Sequence, residues 1–189
     1  MNTFTVSKAI GLRLFSIHKT GVKQMKNIHS ISVLFFLVLF SHSIYAEVRV
    51  AILDFELKDV TYLPNRPEEI ERTASIKPLL SAELQKAGLT VLTIDSTAQQ
   101  ALNSGEGYLF DHVDVATQLG KQENADYIIV GRLHKPSFLF AYLLTEIVDV
   151  KSGTLIDSLS VETKGGEKKL TGKAIEMLAD KINAVLHSK

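Results

Sequence analysis

Two short clusters in this chain combine residue types that can do chemistry. His112 lies between Asp111 and Asp114, and imidazole with carboxylate is a donor set suited to zinc or manganese. Local spacing supplies only part of a coordination shell, so a distant ligand such as Asp54 would have to complete it. Further on, Arg132, His134 and Lys135 form the basic cluster of the strand-rich region, just before Pro136. Arg132 offers a planar fork and Lys135 a point charge, so the pair could clamp a carboxylate or a phosphate. Each cluster also has a plainer reading: Asp111 and Asp114 cap a helix with His112 at the surface, and the basic trio is a solvated strand end. Ser137 follows Pro136 without elbow glycines, and a set made of Ser137, His134 and Asp54 would rest on mere presence. The Gly165-Gly166 pair and the single glycines do not approximate a phosphate loop or a dinucleotide fingerprint. No catalytic residue is assigned and no cofactor is expected.

These residues must be positioned by a sheet. From Ala125 to Thr163 the chain reads as three consecutive strands rich in β-branched and aromatic residues, with turn chemistry at His134 to Pro136 and Lys151 to Gly153. Between Phe138 and Val150, alternate positions put Phe138, Phe140, Tyr142, Leu144, Val148 and Val150 on one side, interrupted by Glu146. Leu139, Ala141, Leu143, Thr145, Ile147 and Asp149 take the other side. A strand apolar on both faces in its first half is central, or it touches a partner. Arg132 and His134 share a strand face, so Arg132, His134, Lys135 and Tyr142 are the candidate residues for binding a ligand or partner, and Asp111, His112 and Asp114 those for a metal.

Earlier in the chain, Val48 to Phe55 predicts an interior strand with Asp54 near its end, and Glu56 to Pro67 a long connection broken by Pro64 and Pro67. A helix follows from Pro67 to Ala87, with a kink or break near Ile76 to Pro78 and a buried stripe of Ile70, Ala74, Ile76, Leu80, Leu84 and Ala87. A short strand at Leu89 to Ile94 precedes a brief helix capped by Ser96. A second helix over Val115 to Glu123 is capped by Asp111 or Asp114, and a final helix by Thr171. The order β-α-β-α-β-β-β-α predicts a single α/β domain, a mixed sheet of about five strands with helices packed on it.

The amino terminus sets the compartment. Residues 31–40, ISVLFFLVLF, are charge-free and apolar, preceded by Lys26 and followed by Ser41 to Ala46, the order of a secretory leader cleaved after Ala46. The run is too short for a retained span of about 20 residues. Residues 1–24 make the basic leader region too long, so they read as an upstream extension with translation starting at Met25, residues 25–46 as the signal peptide and 47–189 as the single domain. Removing residues 1–46 takes five bases and no acid, leaving 16 basic side chains against all 21 acidic ones. That surplus argues against nucleic acid, and against anionic lipid as the main partner. With no cysteine, disulfides, thiol catalysis and thiolate metal sites are excluded, which suits a bacterial periplasm.

The strings VAILDFE at 50–56, ASIKPLLSAEL at 74–84, GYLFDHVDVA at 107–116 and ADYIIVGRLHKPSFLF at 125–140 together resemble a family of small exported proteobacterial proteins known as domain of unknown function 2380. More distantly, the opening VAILDF strand, the later ADYIIVG strand and the VDVKSG hairpin are similar to the amino-terminal domain of TolB and the α/β domain of CsgG. The resemblance implies a periplasmic α/β domain used in envelope assembly or protein contacts, with no catalytic residues to carry over. Without a following β-propeller or a lipid-anchoring cysteine, neither the whole TolB role nor the secretion-pore role is implied. The expected function is therefore a non-catalytic periplasmic module contacting a periplasmic or envelope protein, with a homo-oligomer as one form of that contact and no membrane span after leader cleavage. The alternative is a ligand- or metal-binding protein or minor hydrolase using Asp54, Asp111, His112 and His134.

Overall fold

The computed structural model describes residues 47–164 and 168–188. The expected leader, the upstream extension and the Gly165-Gly166 pair lie outside them. In chain order, β1 (Arg49–Ile52) and β2 (Glu56–Asp59) lead into α1 (Pro67–Ala74) and α2 (Ile76–Lys86). β3 (Thr90–Thr93), α3 (Ser96–Leu102), α4 (Tyr108–Asp111) and α5 (Val113–Gln122) follow. The three long strands β4 (Tyr127–Lys135), β5 (Phe140–Asp149) and β6 (Thr154–Lys164) then precede α6 (Lys168–His187).

The result is one α/β domain on a six-stranded mixed sheet of order β3-β1-β4-β5-β6, with β2 also paired to β4. The β1–β3, β1–β4 and β2–β4 pairs are parallel, and β4–β5–β6 is an antiparallel meander. β1 covers only the first part of β4, at Tyr127 to Ile129. β2 then takes the rest of that edge, setting Glu56 beside Arg132, Leu57 beside Leu133, Lys58 beside His134 and Asp59 beside Lys135. The sixth strand thus lies in what reads from sequence as connection. Only one of its four residues is apolar, and charge matching across the pair takes the place of hydrophobic alternation.

Between β1 and β2 the chain swings Phe55 over Gly131, where a Cβ would overlap the ring. Glycine is required there by close approach.

Each face of the sheet carries its own core. On one face α2 and α6 pack Ile76, Leu80, Leu84, Ile175, Leu178 and Ile182 onto Ile52, Ile129, Leu133, Leu143 and Ile147. On the other, the α3–α5 segment packs Leu109, Ala116 and Leu119 onto Ala51, Leu53, Ile128, Val130 and Val148. Burying some thirty apolar side chains on both faces is what holds a cysteine-free domain together.

The helix after Pro67 does break, at Ser75. Pro78 then falls at the third position of α2, where a backbone N–H would have no intrahelical acceptor, so the ring costs nothing there. The expected stripe holds for Ile76, Leu80 and Leu84, but Ile70 is 52% exposed and Ala74 and Ala87 are exposed as well. α1 turns Glu69, Arg72 and Thr73 inward instead. Three helix starts also differ from expectation. Asp95, not Ser96, caps α3 by accepting from the Thr97 N–H; α5 begins at Val113 with no side-chain cap; and Thr171 lies inside α6.

Candidate functional site

β4 carries the basic cluster, and its alternation splits it. Arg132 and His134 lie on the face shared with α4, Lys135 on the face shared with α1. Both Arg132 and Lys135 are buried, at 6% and 3% exposure. Each is met by a carboxylate from β2, so the register of that strand is also an electrostatic register.

On the α4 face, the Arg132 guanidinium donates through Nε to Glu56 Oε1 and through NH2 to the Gly107 carbonyl at 3.3 Å. Asp111 Oδ1 stands 3.7 Å away, and the Phe110 ring lies 4.3 Å from Cζ. The second Glu56 oxygen accepts the Gly107 N–H at 2.6 Å. Gly107 has φ +81°, and a Cβ there would press on Arg132, so only glycine satisfies both conditions. Arg132 thus clamps a carboxylate, and it is one of the chain's own. A shallow cleft of about 280 Å³ opens here between Glu56, Lys58, Glu106, Asp111 and Arg132. Glu146 adjoins it: burial pushes its carboxyl up, the Asp111 charge adds to that, and Arg132 draws it partly back.

Towards β6 the same face lies open. α6 packs against β5 and β6 from the opposite side, while Phe140, Tyr142 and Leu144 stand half-exposed and Ser158, Ser160, Glu162 and Lys164 are all exposed. The register aligns Lys58, His134, Tyr142 and Glu162 in one row across four strands. The Nδ1 atom of His134 is buried without a hydrogen-bond partner.

On the α1 face, Lys135 Nζ lies 3.0 Å from Glu69 Oε1 and 3.4 Å from Asp59 Oδ2. Glu69 Oε2 is 3.2 Å from Arg72 NH1, and Arg72 donates onward to Thr171 Oγ1 at 2.8 Å and Thr163 Oγ1 at 3.1 Å. These two cations and two anions tie β2, β4, α1, β6 and α6 together in the interior. The network also explains why α1 buries its charged side. Unpaired, any of the four would be costly at this depth, whereas paired and hydrogen-bonded they are tolerated. Asp59 shows the balance: burial acts to raise its pKa, but hydrogen bonds from Thr61 and the Lys135 charge outweigh that and hold it below the ordinary value.

The expected metal trio does not face one point. Asp111 is directed to Arg132, His112 stacks on Tyr108 with centroids 4.4 Å apart, and Asp114 is exposed in the first turn of α5. Among the described residues no three His, Asp or Glu side chains stand together as metal ligands would. Asp54 occupies a separate cleft of about 440 Å³ lined by Phe55, Leu57, Ile70, Lys77 and Ser96 among others. There Lys77 Nζ lies 2.9 Å away and Ser96 Oγ donates at 2.6 Å. Burial works to raise the Asp54 pKa, and these two partners more than reverse it, leaving it lowered. Sequence reasoning missed Glu56, Glu69 and Arg72; the match of ELKD to RLHK shows only once the register of β2 on β4 is known.

Fold and site define a small α/β domain whose central strand is neutralised internally on both faces and whose meander keeps one face open. The chain belongs to the family described as protein of unknown function (DUF2380), whose model matches residues 48–182, as the strings quoted above imply. No curated protein matches it in sequence. Among solved structures it is similar to the PelC dodecamer from Paraburkholderia phytofirmans, at 15% identity and TM-score 0.50 over 74% of this chain and 87% of that one. The hypothetical protein CT253 from Chlamydia trachomatis matches at 11% identity and TM-score 0.50 over 76% and 100%. TolB from Acinetobacter baumannii matches at 12% and 0.44, over 74% of this chain and 28% of that one. These likenesses are of fold. Among the described residues no helix is long and apolar enough to cross a membrane.

Proposed function

We propose that this protein is a non-catalytic module of a bacterial periplasm that works by protein contact through the open face of β4, β5 and β6. The observation that carries the reading is the column Phe140, Tyr142 and Leu144, half-exposed at the centre of a face whose margins are Lys58, His134, Ser158, Ser160 and Glu162. An apolar centre with a polar rim is the anatomy of a contact surface. Arg132 is held at its edge by Glu56 and the Gly107 carbonyl. The leader pattern supplies the compartment. The PelC likeness adds that a domain of this fold builds a dodecamer in another protein, so a second copy is among the partners the face suits.

The test uses residues 47–189 as bait in a periplasmic extract with in-cell crosslinking, compared with a Tyr142→Asp variant. Because Tyr142 is only half-buried, the variant should keep its Tm. A stoichiometric partner lost in the variant supports the reading, and capture that is indifferent to Tyr142→Asp overturns it.

A further inference from the structure

One end of the sheet carries a protruding apolar tip that the open face does not use. The β2–α1 loop exposes Val60 at 57%, Tyr62 at 81% and Leu63 at 50%, and the β4–β5 turn exposes Leu139 at 70% and Phe138 at 38%. The two loops are neighbours, because the Val60 N–H donates to the Lys135 carbonyl at 3.1 Å and the Tyr62 and Phe138 rings meet edge to face at 4.9 Å. Both are braced from within. Thr61 bonds twice to Asp59 Oδ1, and Ser137 Oγ accepts the N–H groups of Leu139 and Phe140. Little ordering is left to lose on binding.

The charge at this end departs from the domain average. Neither Val60 to Pro67 nor Lys135 to Thr145 contains an acid, while Arg66, which also stands 3.8 Å from Glu68 and 4.0 Å from Glu69, flanks the first loop and Lys164 pairs with Phe140 beside the second. The opposite end exposes Glu47, Glu123 and Asp126 together with Lys121 and Lys151. The surplus of acids that argues against anionic lipid for the whole domain therefore does not reach this tip.

We propose that the tip inserts into the interfacial layer of a lipid bilayer bearing anionic headgroups. Leu63, Phe138 and Leu139 enter the acyl boundary, Tyr62 keeps its hydroxyl at headgroup level, and Arg66 and Lys164 lie against the phosphates. A bilayer suits this surface better than a protein pocket. The most exposed side chains lie on two neighbouring loops that carry no acid, with Arg66 and Lys164 beside them. The domain so placed presents its open sheet face sideways, so the two surfaces stand or fall separately.

Residues 46–189 form one compact unit holding every residue of both cores, so this piece serves for the test without the apolar leader. The protein has no tryptophan, which makes Leu139→Trp a lone reporter and Lys151→Trp, in the turn at the far end, its control. Vesicles of phosphatidylcholine with one quarter phosphatidylglycerol should shift the Leu139→Trp emission to the blue and leave the control unchanged. Co-sedimentation of the wild-type sequence should weaken with salt, and should fall roughly tenfold or more in a Tyr62→Ser, Leu139→Ser variant that has lost two apolar anchors. An unshifted emission, or equal sedimentation of the double variant, overturns the proposal. So does a vesicle-free oligomer that the same double variant dissolves, since the tip would then be covered by a second copy.

Discussion

Arg132 and Lys135 stand three residues apart on β4 and face opposite ways, and each meets a carboxylate three residues apart on β2, Glu56 and Asp59. One short strand therefore neutralises both faces of the central strand. On the buried side the pairing extends to Glu69 and Arg72. Lys135→Met should cost about 3–5 kcal/mol, because it leaves Asp59 and Glu69 buried with one cation fewer. Urea unfolding of residues 46–189 measures this, and a loss below about 1 kcal/mol would mean that water reaches the network.

The same strand pair was only half legible in the sequence. β-branched alternation gave away β4, β5 and β6, and apolar density β1 and β3, since burial on one or both faces leaves that mark. β2 left none, because Glu56 to Asp59 pairs by charge rather than by hydrophobicity. α1 misled for a related reason: Ile70 and Ala74 have core spacing, yet the helix rotates to deliver Glu69 and Arg72 to Lys135 and Thr171. Arg132 and His134 could be placed on one strand face from alternation alone, and Tyr142 joins them through the β4–β5 register. The carboxylates that meet Arg132 and Lys135 could not, because they come from 76 positions upstream.

Phe55 and Gly131 fix the crossing between β1 and β2. Gly131→Ala should destabilise by about 1–3 kcal/mol through overpacking against the ring. Phe55→Leu introduced with it should recover part of that loss. A double-mutant cycle with no coupling between the two sites would show that the ring relaxes freely.

Acid should weaken the fold through Asp54 and Asp59. Both have folded-state pKa values below the ordinary 3.8, so their contribution is complete above that value and is lost as pH falls through the lower folded values. Asp59→Asn should flatten the acid limb of stability against pH between about pH 5 and 2. An unchanged limb in urea titrations would remove Asp59 from the account.

Glu146 should act with the opposite sign. Its folded-state pKa is raised above 4.5 by burial and by Asp111, so it favours the fold while protonated, and that contribution is lost as pH rises through the folded value. Glu146→Gln should leave stability unchanged in acid and raise it at pH 7 by a few tenths of a kcal/mol, the scale of a half-exposed charge. A lower Tm at pH 7 would instead reveal a favourable role for the carboxylate beside Arg132.

The division of one edge of β4 between β1 and β2 also bears on how the chain comes together. β1 must reach Tyr127 to Ile129 and β2 must reach Arg132 to Lys135, contacts of high sequence separation that close long loops and slow folding. A polypeptide emerging amino-terminus first can pair β1 with β3 once Thr93 has appeared, whereas β2 must wait for Lys135. Until then the carboxylates of β2 have no cations opposite them.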